Sequence, residues 1–316
     1  MEGAQVIMCP GNVNTFPINE VEKMRKRRAL SDTKFAYLLL APSLILLAAL
    51  IGYPMLYNIY ISVLDVPVNP RKPSVFVGLD NYISVLTDPS FYHSVITTLV
   101  FTFVVVVLST VVGLAMACFL NRKFVGKKLV NSLIILSYVI PSVCLIFAWR
   151  YMFNNIYGII NYIVVDVLHL AKEVPLWFDQ PVSAFILAAL FCIWRFFPYA
   201  YLSFTAILQT IDKSLYEAAD IDGATAWQKF KVVTYPALKS TMVTVVSLRI
   251  IWVFYIYAEV YLLTKQVDVI GVYLYDMAFA THDFGKAAAI SLLLFVLIFA
   301  CVIMVRKVVL RREKEE

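Results

Sequence analysis

Six long apolar runs constrain what this chain can fold into more than any other feature of its sequence. Each run has about 20 residues or more, which is enough for a helix to cross the hydrocarbon core of a bilayer. In lipid, every backbone polar group needs a partner within the protein, so a spanning segment is either a helix or a strand of a closed barrel. The runs are continuous rather than alternating, which favours helices. We therefore predict an all-α polytopic integral membrane protein with about six transmembrane helices, over about residues 35–64, 95–120, 129–153, 182–208, 241–264 and 287–310.

Composition agrees with a membrane protein and argues against several other classes. Hydrophobic residues make up 61% of the 316 residues and charged residues only 15%, whereas a soluble domain has about 25% charged residues. The sequence has no phosphate-binding loop of the type G-x-x-x-x-G-K-[ST], and its histidines are isolated from other ligands at metal spacing. Four of the five cysteines lie in apolar runs, as small hydrophobic residues. We predict that this chain itself binds no cofactor, metal or nucleic acid.

Lysines and arginines are distributed unevenly between the two sides that six spans would create. With the N-terminus inside, the inner segments hold 19 of the 27 lysines and arginines, and the outer segments hold six. Cytoplasmic loops carry the excess of positive charge. We therefore expect both termini in the cytoplasm, with an N-terminal tail at residues 1–34, a transmembrane domain at residues 35–310 and a C-terminal tail at residues 311–316.

A polar stretch between the fourth and fifth apolar runs, at about residues 211–238, carries the signals of a short helix followed by a tight bend. Ser214 stands three residues before Glu217, which fits a capping box at the start of a helix. Two alanines follow Glu217, so another surface could pack close to the helix backbone. Gly223 then supplies the left-handed residue that ends such a helix.

A second short helix is predicted directly after this bend. Thr225 stands three residues before Gln228, which is a second capping box. Pro236 is expected to end the helix, because a helix interior cannot keep a residue that lacks its N–H. Trp227 and Phe230 are three residues apart and share one side of this helix. A cytoplasmic helix–turn–helix loop with two aromatic side chains on one side is typical of a docking device.

The phrase E-A-A-D-I-D-G-A, followed by a proline twelve residues later, resembles the EAA loop in the membrane subunits of ABC importers. W-R-F-F-P-Y before the loop and Y-L-L-T after it resemble the carbohydrate branch of that family, the MalF/UgpA-like permeases. In that family the loop fits into a cleft on the ATPase subunit. The resemblance implies that the coupling residues are Glu217, Ala218, Ala219, Asp222, Gly223, Ala224, Trp227, Phe230 and Pro236.

The same resemblance implies a set of partners in a prokaryotic inner or plasma membrane. These partners are a second homologous permease subunit, a cytoplasmic ATPase dimer that binds ATP and Mg²⁺, and an extracellular or periplasmic solute-binding protein. We expect the binding protein to contact the outer loops at residues 65–94 and 154–181. The resemblance leaves open whether the two membrane subunits are identical.

Ionisable residues inside the spans are costly and usually face a cavity or a partner. Arg195 lies in the fourth span beside Pro198, and Arg249 and Glu259 lie in the predicted fifth span. Charged groups and flat aromatic faces suit sugars, because they offer hydrogen bonds to hydroxyls and surfaces for C–H patches. We therefore predict a solute pathway formed by Trp194, Arg195, Tyr199, Arg249, Trp252, Tyr255 and Glu259. The alternative is that either arginine pairs structurally with the second subunit or lies near the lipid headgroups, and that the aromatic side chains only pack.

Two other functional classes remain to be weighed against an importer subunit. An ion-gradient-driven secondary transporter could use Arg195, Arg249 and Glu259 as a relay, although a carboxylate relay normally needs more than one buried acid. A membrane enzyme would need a nucleophile–base pair, a metal cluster or paired carboxylates, and the sequence offers none of these patterns. We therefore expect a transport subunit that is not an enzyme, with ATP hydrolysis in a separate polypeptide.

Overall fold

The computed structural model describes residues 34–69, 71–122 and 124–311, and it describes side chains as far as residue 307. Apart from Lys34 and Arg311, the two predicted tails lie outside these residues. The described part contains twelve helices: α1 Lys34–Ile61, α2 Asp80–Thr87, α3 Pro89–Leu120, α4 Lys127–Val139, α5 Ser142–Met152, α6 Ile159–Asn161, α7 Pro181–Leu208, α8 Lys213–Ile221, α9 Ala226–Phe254, α10 Ala258–Leu263, α11 Ile270–Tyr275 and α12 Phe284–Arg311.

A two-stranded hairpin and four π-helical turns complete the secondary structure of the described residues. Strands β1 (Leu64–Asp65) and β2 (Val75–Phe76) pair antiparallel, with Leu64 opposite Phe76. The π-helical turns lie at Ala48–Gly52 within α1, at Tyr162–Val167 after α6, at Phe230–Thr234 within α9 and at Asp276–Ala280 after α11. The predicted all-α class is confirmed, since the strands are only two residues long.

Five helices are long and apolar enough to cross a membrane, namely α1, α3, α7, α9 and α12. Helices α4 and α5 form a sixth candidate span only if they are taken together, because they are bent by 98° at Ile140–Pro141. The prediction of six spans therefore holds with the bent pair as one span. The predicted third span is not a continuous helix, since Pro141 has no N–H to carry the hydrogen-bond ladder onward.

The described residues up to Tyr60 and those from Ile61 onward form separate units, and helix α1 accounts for all of the described part of the first unit. Large apolar side chains of α1, such as Leu39 and Leu50, are exposed to the surroundings. Exposed apolar side chains all along a helix of this length suit contact with lipid. Helix α1 ends at Ile61, three residues before the predicted end of the first span at residue 64.

The second unit is built around the contact between α3 and α7. Gly113 on α3 allows these two helices to approach closely, because a Cβ atom there would lie 2.6 Å from the Cβ atom of Ala200 on α7. Phe101 on α3 and Phe191 and Phe204 on α7 are fully buried beside this contact. Small residues that let backbones approach are a common basis of helix packing in membranes.

The prediction that Pro236 ends the second helix of the coupling loop is wrong. The helix continues through Pro236 to Phe254, so the loop and the fifth span share one helix. The π-helical turn before the proline makes this possible. Within it, the Tyr235 N–H donates to the carbonyl of Phe230, five residues back, which widens the turn where the proline ring would otherwise meet the preceding turn. A π-helical turn precedes Pro54 in α1 in the same way.

The predicted fifth span, residues 241–264, is broken in the structure. Helix α9 ends at Phe254, and α10 starts after a break at Tyr255–Tyr257. Helix α11 approaches this break, because a Cβ atom on Gly271 would clash with the carbonyl of Ile256. The start of α11 is also tied to α3, since the Ile270 N–H donates to the Thr98 hydroxyl over 2.7 Å. These contacts pack α11 against the break and tie it to α3.

The segments between spans are held by buried or half-buried polar contacts. The Asn81 side chain donates to the carbonyls of Ser62 and Leu64, both over 2.9 Å, and so fixes the β1–β2 hairpin against α2. In the next outer loop, the Trp177 indole N–H donates to the Asn161 side chain over 2.6 Å. Both predicted outer loops are therefore folded segments.

Candidate functional site

A cavity of about 440 Å³ lies where α4, α7, α9 and α10 meet. Its volume falls within the range of small-molecule sites in proteins, about 300–1,000 Å³. Three of the side chains that line it are charged and four are aromatic. The lining residues are Tyr138, Arg195, Phe196, Arg249, Trp252, Tyr255, Ile256 and Glu259.

Arg249 lines the cavity among aromatic side chains and is 1% exposed. Its Nη2 donates to the carbonyl of Phe196 over 2.7 Å. Its guanidinium carbon lies 4.7 Å from the ring centres of Phe196 and Tyr199 and 5.0 Å from the ring of Trp252. Ring faces attract a cation, so these three rings partly replace the water that the guanidinium has lost.

Arg195 links three elements at the cavity. Its Nη1 lies 3.4 Å from the carbonyl of Ile140, at the bend between α4 and α5. Its Nε lies 3.9 Å from a carboxylate oxygen of Glu259 at the start of α10, and both side chains are 17% exposed. The ion pair and the contact with Ile140 join α7 to two places where a helix is interrupted.

Pro198 has no N–H, so the carbonyl of Trp194, four residues earlier in α7, lacks its usual helical hydrogen-bond donor. The hydroxyl of Ser137 on α4 lies 3.4 Å from that carbonyl. Helix α7 runs on past Pro198 to Leu208. The proline therefore leaves the Trp194 carbonyl free to accept a hydrogen bond from the neighbouring helix α4.

Of the predicted pathway residues, Arg195, Arg249, Trp252, Tyr255 and Glu259 line one cavity. Tyr199 lies just behind the lining, with its ring 5.4 Å from that of Trp252. Trp194 does not line the cavity and instead packs against Trp149 and Phe191, with ring centres 5.9 and 6.4 Å apart. Roles in a pathway remain predictions for all seven residues.

Three further residues line the cavity and were not among the predicted pathway residues: Tyr138, Phe196 and Ile256. Tyr138 stands three residues before Pro141, so a polar aromatic side chain beside a helix break was the signal available for it. Phe196 lies directly beside Arg195 in the phrase W-R-F-F-P-Y. For Ile256 there was no signal, because an isoleucine in an apolar run is typical of any span.

The loop between α7 and α9 is a compact helical hairpin formed by α8 and the first turns of α9. Asp212, and not the predicted Ser214, caps α8: its carboxylate accepts a hydrogen bond from the Ser214 N–H over 3.0 Å. Glu217 lies in the middle of α8 and takes no part in a cap, which corrects the first capping box. An aspartate two residues earlier competes well for this position, since Asp and Ser are similarly good N-caps.

The bend of the hairpin is a Schellman motif, in which carbonyls near the end of α8 are satisfied by residues beyond it. Gly223 has φ +71° and its N–H donates to the carbonyl of Asp220 over 3.1 Å. The Ala224 N–H donates to the carbonyl of Ala219 over 2.9 Å. The predicted left-handed stop at Gly223 is confirmed.

The second capping box is also confirmed. The Thr225 hydroxyl accepts from the Gln228 N–H, and the Gln228 side chain accepts from the Thr225 N–H over 2.7 Å. The two arms of the hairpin are joined by an ion pair of 2.5 Å between Lys229 and Asp220. A hydrogen bond of 2.9 Å between the hydroxyls of Tyr216 and Thr234 joins them a second time.

Two aromatic side chains lie together on the surface of the hairpin. The rings of Trp227 and Phe230 stack, with centres 5.4 Å apart and planes 17° apart. Trp227 is 71% exposed, whereas Phe230 is half-buried. Of the other predicted coupling residues, Ala219 and Ala224 are half-buried and the rest are exposed: Glu217, Ala218, Asp222, Gly223 and Pro236.

Among the described residues, no group of three or more His, Cys, Asp or Glu side chains is placed to hold a metal ion. The charged groups of the cavity also differ from a catalytic pair of carboxylates, since Glu259 is its one acid and is paired with Arg195. This arrangement suits the binding and passage of a polar solute.

Long apolar helices, a polar cavity among them and a helical hairpin between two of them fit a multi-pass membrane transport subunit. The chain belongs to the family of binding-protein-dependent transport system inner membrane components, whose family model matches residues 109–314. This membership supports an importer subunit over an ion-gradient-driven transporter or an enzyme.

Individual relatives agree with this assignment. The inner membrane ABC transporter permease protein YcjO of Escherichia coli (strain K12) is 60% identical over 277 residues, which cover 88% of this chain and 94% of that protein. The trehalose/maltose transport system permease protein MalF of Thermococcus litoralis is 32% identical over 300 residues, which cover 92% and 97%.

A solved structure supports the fold. One chain in the crystal structure of a bacterial ABC transporter involved in the import of the acidic polysaccharide alginate has a TM-score of 0.78 to this chain. The match covers 91% of this chain and 99% of that one, at 18% identity. At this low identity the similarity concerns the fold alone.

Proposed function

We propose that this subunit forms part of the pathway for an oligosaccharide or a related polyhydroxylated solute, and that the solute passes through the cavity between α7 and α9. The cavity combines charged side chains with exposed ring surfaces at Trp252 and Tyr255, which suit sugar hydroxyls and C–H patches. The names of relatives also support a sugar. One is a trehalose/maltose permease, and a 32% identical protein of Agrobacterium fabrum is a sulfoquinovosyl glycerol permease.

The hairpin of α8 and α9 transmits work from a separate ATPase dimer, which binds the ATP and Mg²⁺. The observation that carries this proposal is the stacked Trp227–Phe230 pair, exposed on a hairpin whose two arms are joined by an ion pair and a hydrogen bond. Because α9 continues from the hairpin into the fifth span without a break in the helix, a displacement of the hairpin moves the wall of the cavity. Closure of the ATPase dimer would thus rock the spans between outward and inward access.

The remaining partners follow from this arrangement. A second homologous permease completes the pathway, and an extracellular or periplasmic binding protein delivers the solute to the outer loops. Both termini and the hairpin lie in the cytoplasm, in keeping with the excess of positive charge on that side. Hydrolysis of ATP takes place in the partner and not in this chain.

Co-purification of the ATPase with the complete importer tests the coupling proposal. Trp227→Ala removes the exposed ring, and we expect it to lower the amount of bound ATPase about tenfold, since buried aromatic anchors carry most of the free energy of an interface. Val125→Ala is the matched control, because Val125 is a fully exposed apolar residue in another loop on the same predicted side.

Two outcomes contradict the coupling proposal. One is an unchanged amount of ATPase with Trp227→Ala, and the other is an equal loss with Val125→Ala. Gly223 is a poorer target for this test, because its positive φ means that a larger residue would strain the backbone as well as alter the surface. The solute is tested separately, by measuring binding of a glycan panel to the cognate extracellular protein.

A further inference from the structure

Arg249 carries a positive charge that the described part of the chain does not neutralise. Two of its nitrogen atoms, Nε and Nη1, are buried and have no hydrogen-bond partner. Its one hydrogen bond goes to the neutral carbonyl of Phe196, and its other close contacts are aromatic rings. No carboxylate among the described residues forms an ion pair with it.

The remaining charges of the cavity are already matched with each other. Glu259 is the one acidic side chain in the lining, and it forms an ion pair with Arg195. The lining therefore holds one more positive than negative charge. Because Arg249 is almost completely buried, water screens its charge less than it would at a protein surface, so its field in the cavity is strong.

A buried cation without a counter-ion is unfavourable, and ring faces replace only part of the lost hydration. Such a charge is therefore expected where a negatively charged group arrives during function. Arg249 lines the cavity directly, so a group bound there would lie within the field of its guanidinium. The rings of Trp252 and Tyr199 lie on the guanidinium. Trp252 and Tyr255 line the cavity and offer ring surfaces for a sugar.

We propose that the cavity prefers a saccharide that carries one acidic group, such as a carboxylate, over the neutral saccharide of the same size. This inference rests on the proposed function, because it assumes that the cavity is the site through which the solute passes. It adds the charge of the solute, which the neutral sugars in the names of some relatives do not suggest. Arg249 supplies the attraction, and the Arg195–Glu259 pair contributes no net charge.

The test uses the complete importer in nanodiscs without its binding protein, so that the specificity of that protein does not enter. Binding of two matched pairs is measured by saturation-transfer NMR: cellobiose with cellobiouronic acid, and maltose with the analogue whose non-reducing glucose is replaced by glucuronic acid. We expect the acidic member of at least one pair to bind about tenfold more tightly at low salt, with the difference shrinking as salt is added.

Variants identify which charge is responsible. Arg249→Gln removes the excess charge, and we expect it to abolish the preference for the acid. The double variant Arg195→Gln/Glu259→Gln removes a matched pair and keeps the excess charge, so the preference should remain. Arg249→Lys keeps the charge without the planar guanidinium, and we expect it to retain a reduced preference for the acid. This variant shows whether a loss of preference in Arg249→Gln comes from the missing charge and not from failed assembly.

Equal binding of acid and neutral sugar by the wild-type importer overturns the inference, and so does a lack of binding of all four saccharides. A preference that survives Arg249→Gln also overturns it, since the charge then lies elsewhere, for example on the second permease. These failures are distinct from failure of the proposed function. ATP-dependent solute uptake that is lost with Trp227→Ala would still support an importer subunit whose cavity does not select by charge.

Discussion

Arg195 on α7 and Glu259 on α10 form an ion pair across the point where the helix of the fifth span has already ended, with Nε and the carboxylate oxygen 3.9 Å apart. On one continuous helix, Arg249 and Glu259 would lie about 15 Å apart along the axis, too far for direct pairing. Because the helix stops at Phe254, the chain turns and brings Glu259 to a different arginine. The pair therefore depends on the tertiary arrangement of α7, α9 and α10.

Removal of one member of this pair is predicted to destabilise the importer more than removal of both. Glu259→Gln leaves Arg195 buried without a counter-charge, which costs about 3 kcal/mol for a largely buried pair. The double variant Arg195→Gln/Glu259→Gln leaves no unpaired charge and should recover most of that loss. Thermal unfolding of the purified complex measures the effect. Equal destabilisation by the single and double variants would contradict a structural role for the pair.

Gly113 is predicted to be intolerant of any side chain. An added Cβ would lie 2.6 Å from the Cβ atom of Ala200 and 2.9 Å from the carbonyl of Phe197, so α3 and α7 would have to separate. We expect Gly113→Ala to cost about 1–3 kcal/mol, the usual range for overpacking, with a lower yield of assembled importer. Gly52→Ala is the control, because a Cβ there meets nothing within 4 Å. The two variants should differ clearly in melting temperature.

The capping box at the start of α9 gives a local prediction. Thr225→Ala removes the hydroxyl that accepts from the Gln228 N–H, and loss of such a cap costs about 1 kcal/mol. Amide hydrogen exchange of residues 226–229 should become about fivefold faster, while exchange in α3 stays the same. Thr225→Ser keeps the hydroxyl and should restore slow exchange. Unchanged exchange in Thr225→Ala would mean that packing and not the cap holds this turn.

The predicted orientation can be tested with an amine reagent that does not cross membranes. Lys172 lies in a predicted outer loop, Lys231 lies on the hairpin, and both side chains are exposed. In intact cells stripped of the outer barrier, the reagent should modify Lys172 but not Lys231. After the membrane is opened and peripheral proteins are removed, both should react. Modification of Lys231 in intact cells would place the hairpin outside and remove the basis for coupling to a cytoplasmic ATPase.

Asp88 gives a prediction about pH. The Tyr273 hydroxyl donates to its carboxylate over 2.7 Å, and the Ser90 N–H donates over 2.8 Å. These hydrogen bonds hold the pKa of Asp88 below its ordinary value, with the Tyr273 bond as the larger cause. A depressed carboxyl pKa adds stability that is fully present above the pKa of the unfolded state, about 3.9, and is lost as the pH falls through the lower folded pKa.

The matched variant for Asp88 is Tyr273→Phe, which removes the hydroxyl and keeps the ring. The wild-type importer should unfold at a higher temperature than this variant, by a constant margin above about pH 4. The margin should shrink as the pH is lowered further, because Asp88 becomes protonated in both proteins. A margin that grows on acidification would mean that the hydroxyl acts through another partner.

Local signals in the sequence were sufficient for the spans and for most of the hairpin. Apolar runs of the right length located five helices and the bent pair, since a backbone in lipid has almost no alternative to a helix. Thr225 with Gln228, and Gly223 at the bend, act through neighbours in the chain, so the sequence contained the whole of their geometry. Two nearby candidates, Asp212 and Ser214, competed for the other cap, and spacing alone favoured the wrong one.

Helix breaks were harder to predict, because they depend on contacts between distant residues. Pro236 was expected to end a helix, yet a π-helical turn lets α9 continue through it. The break at Tyr255–Tyr257 has no proline. It forms where Gly271 of α11 approaches the carbonyl of Ile256, and no local pattern in the fifth apolar run indicates that approach.

By itself, the sequence determined that this chain is a helical membrane protein and that a capped hairpin separates two of its spans, and its charge distribution predicts which side faces the cytoplasm. These features depend on length, charge and residues within a few positions of each other. Only the tertiary structure decided which arginine pairs with Glu259 and which arginine is left without a counter-charge at the cavity. That outcome depends on where α9 stops and on how α7, α9 and α10 pack around the cavity, and contacts between elements far apart in the chain are not visible in a local sequence pattern.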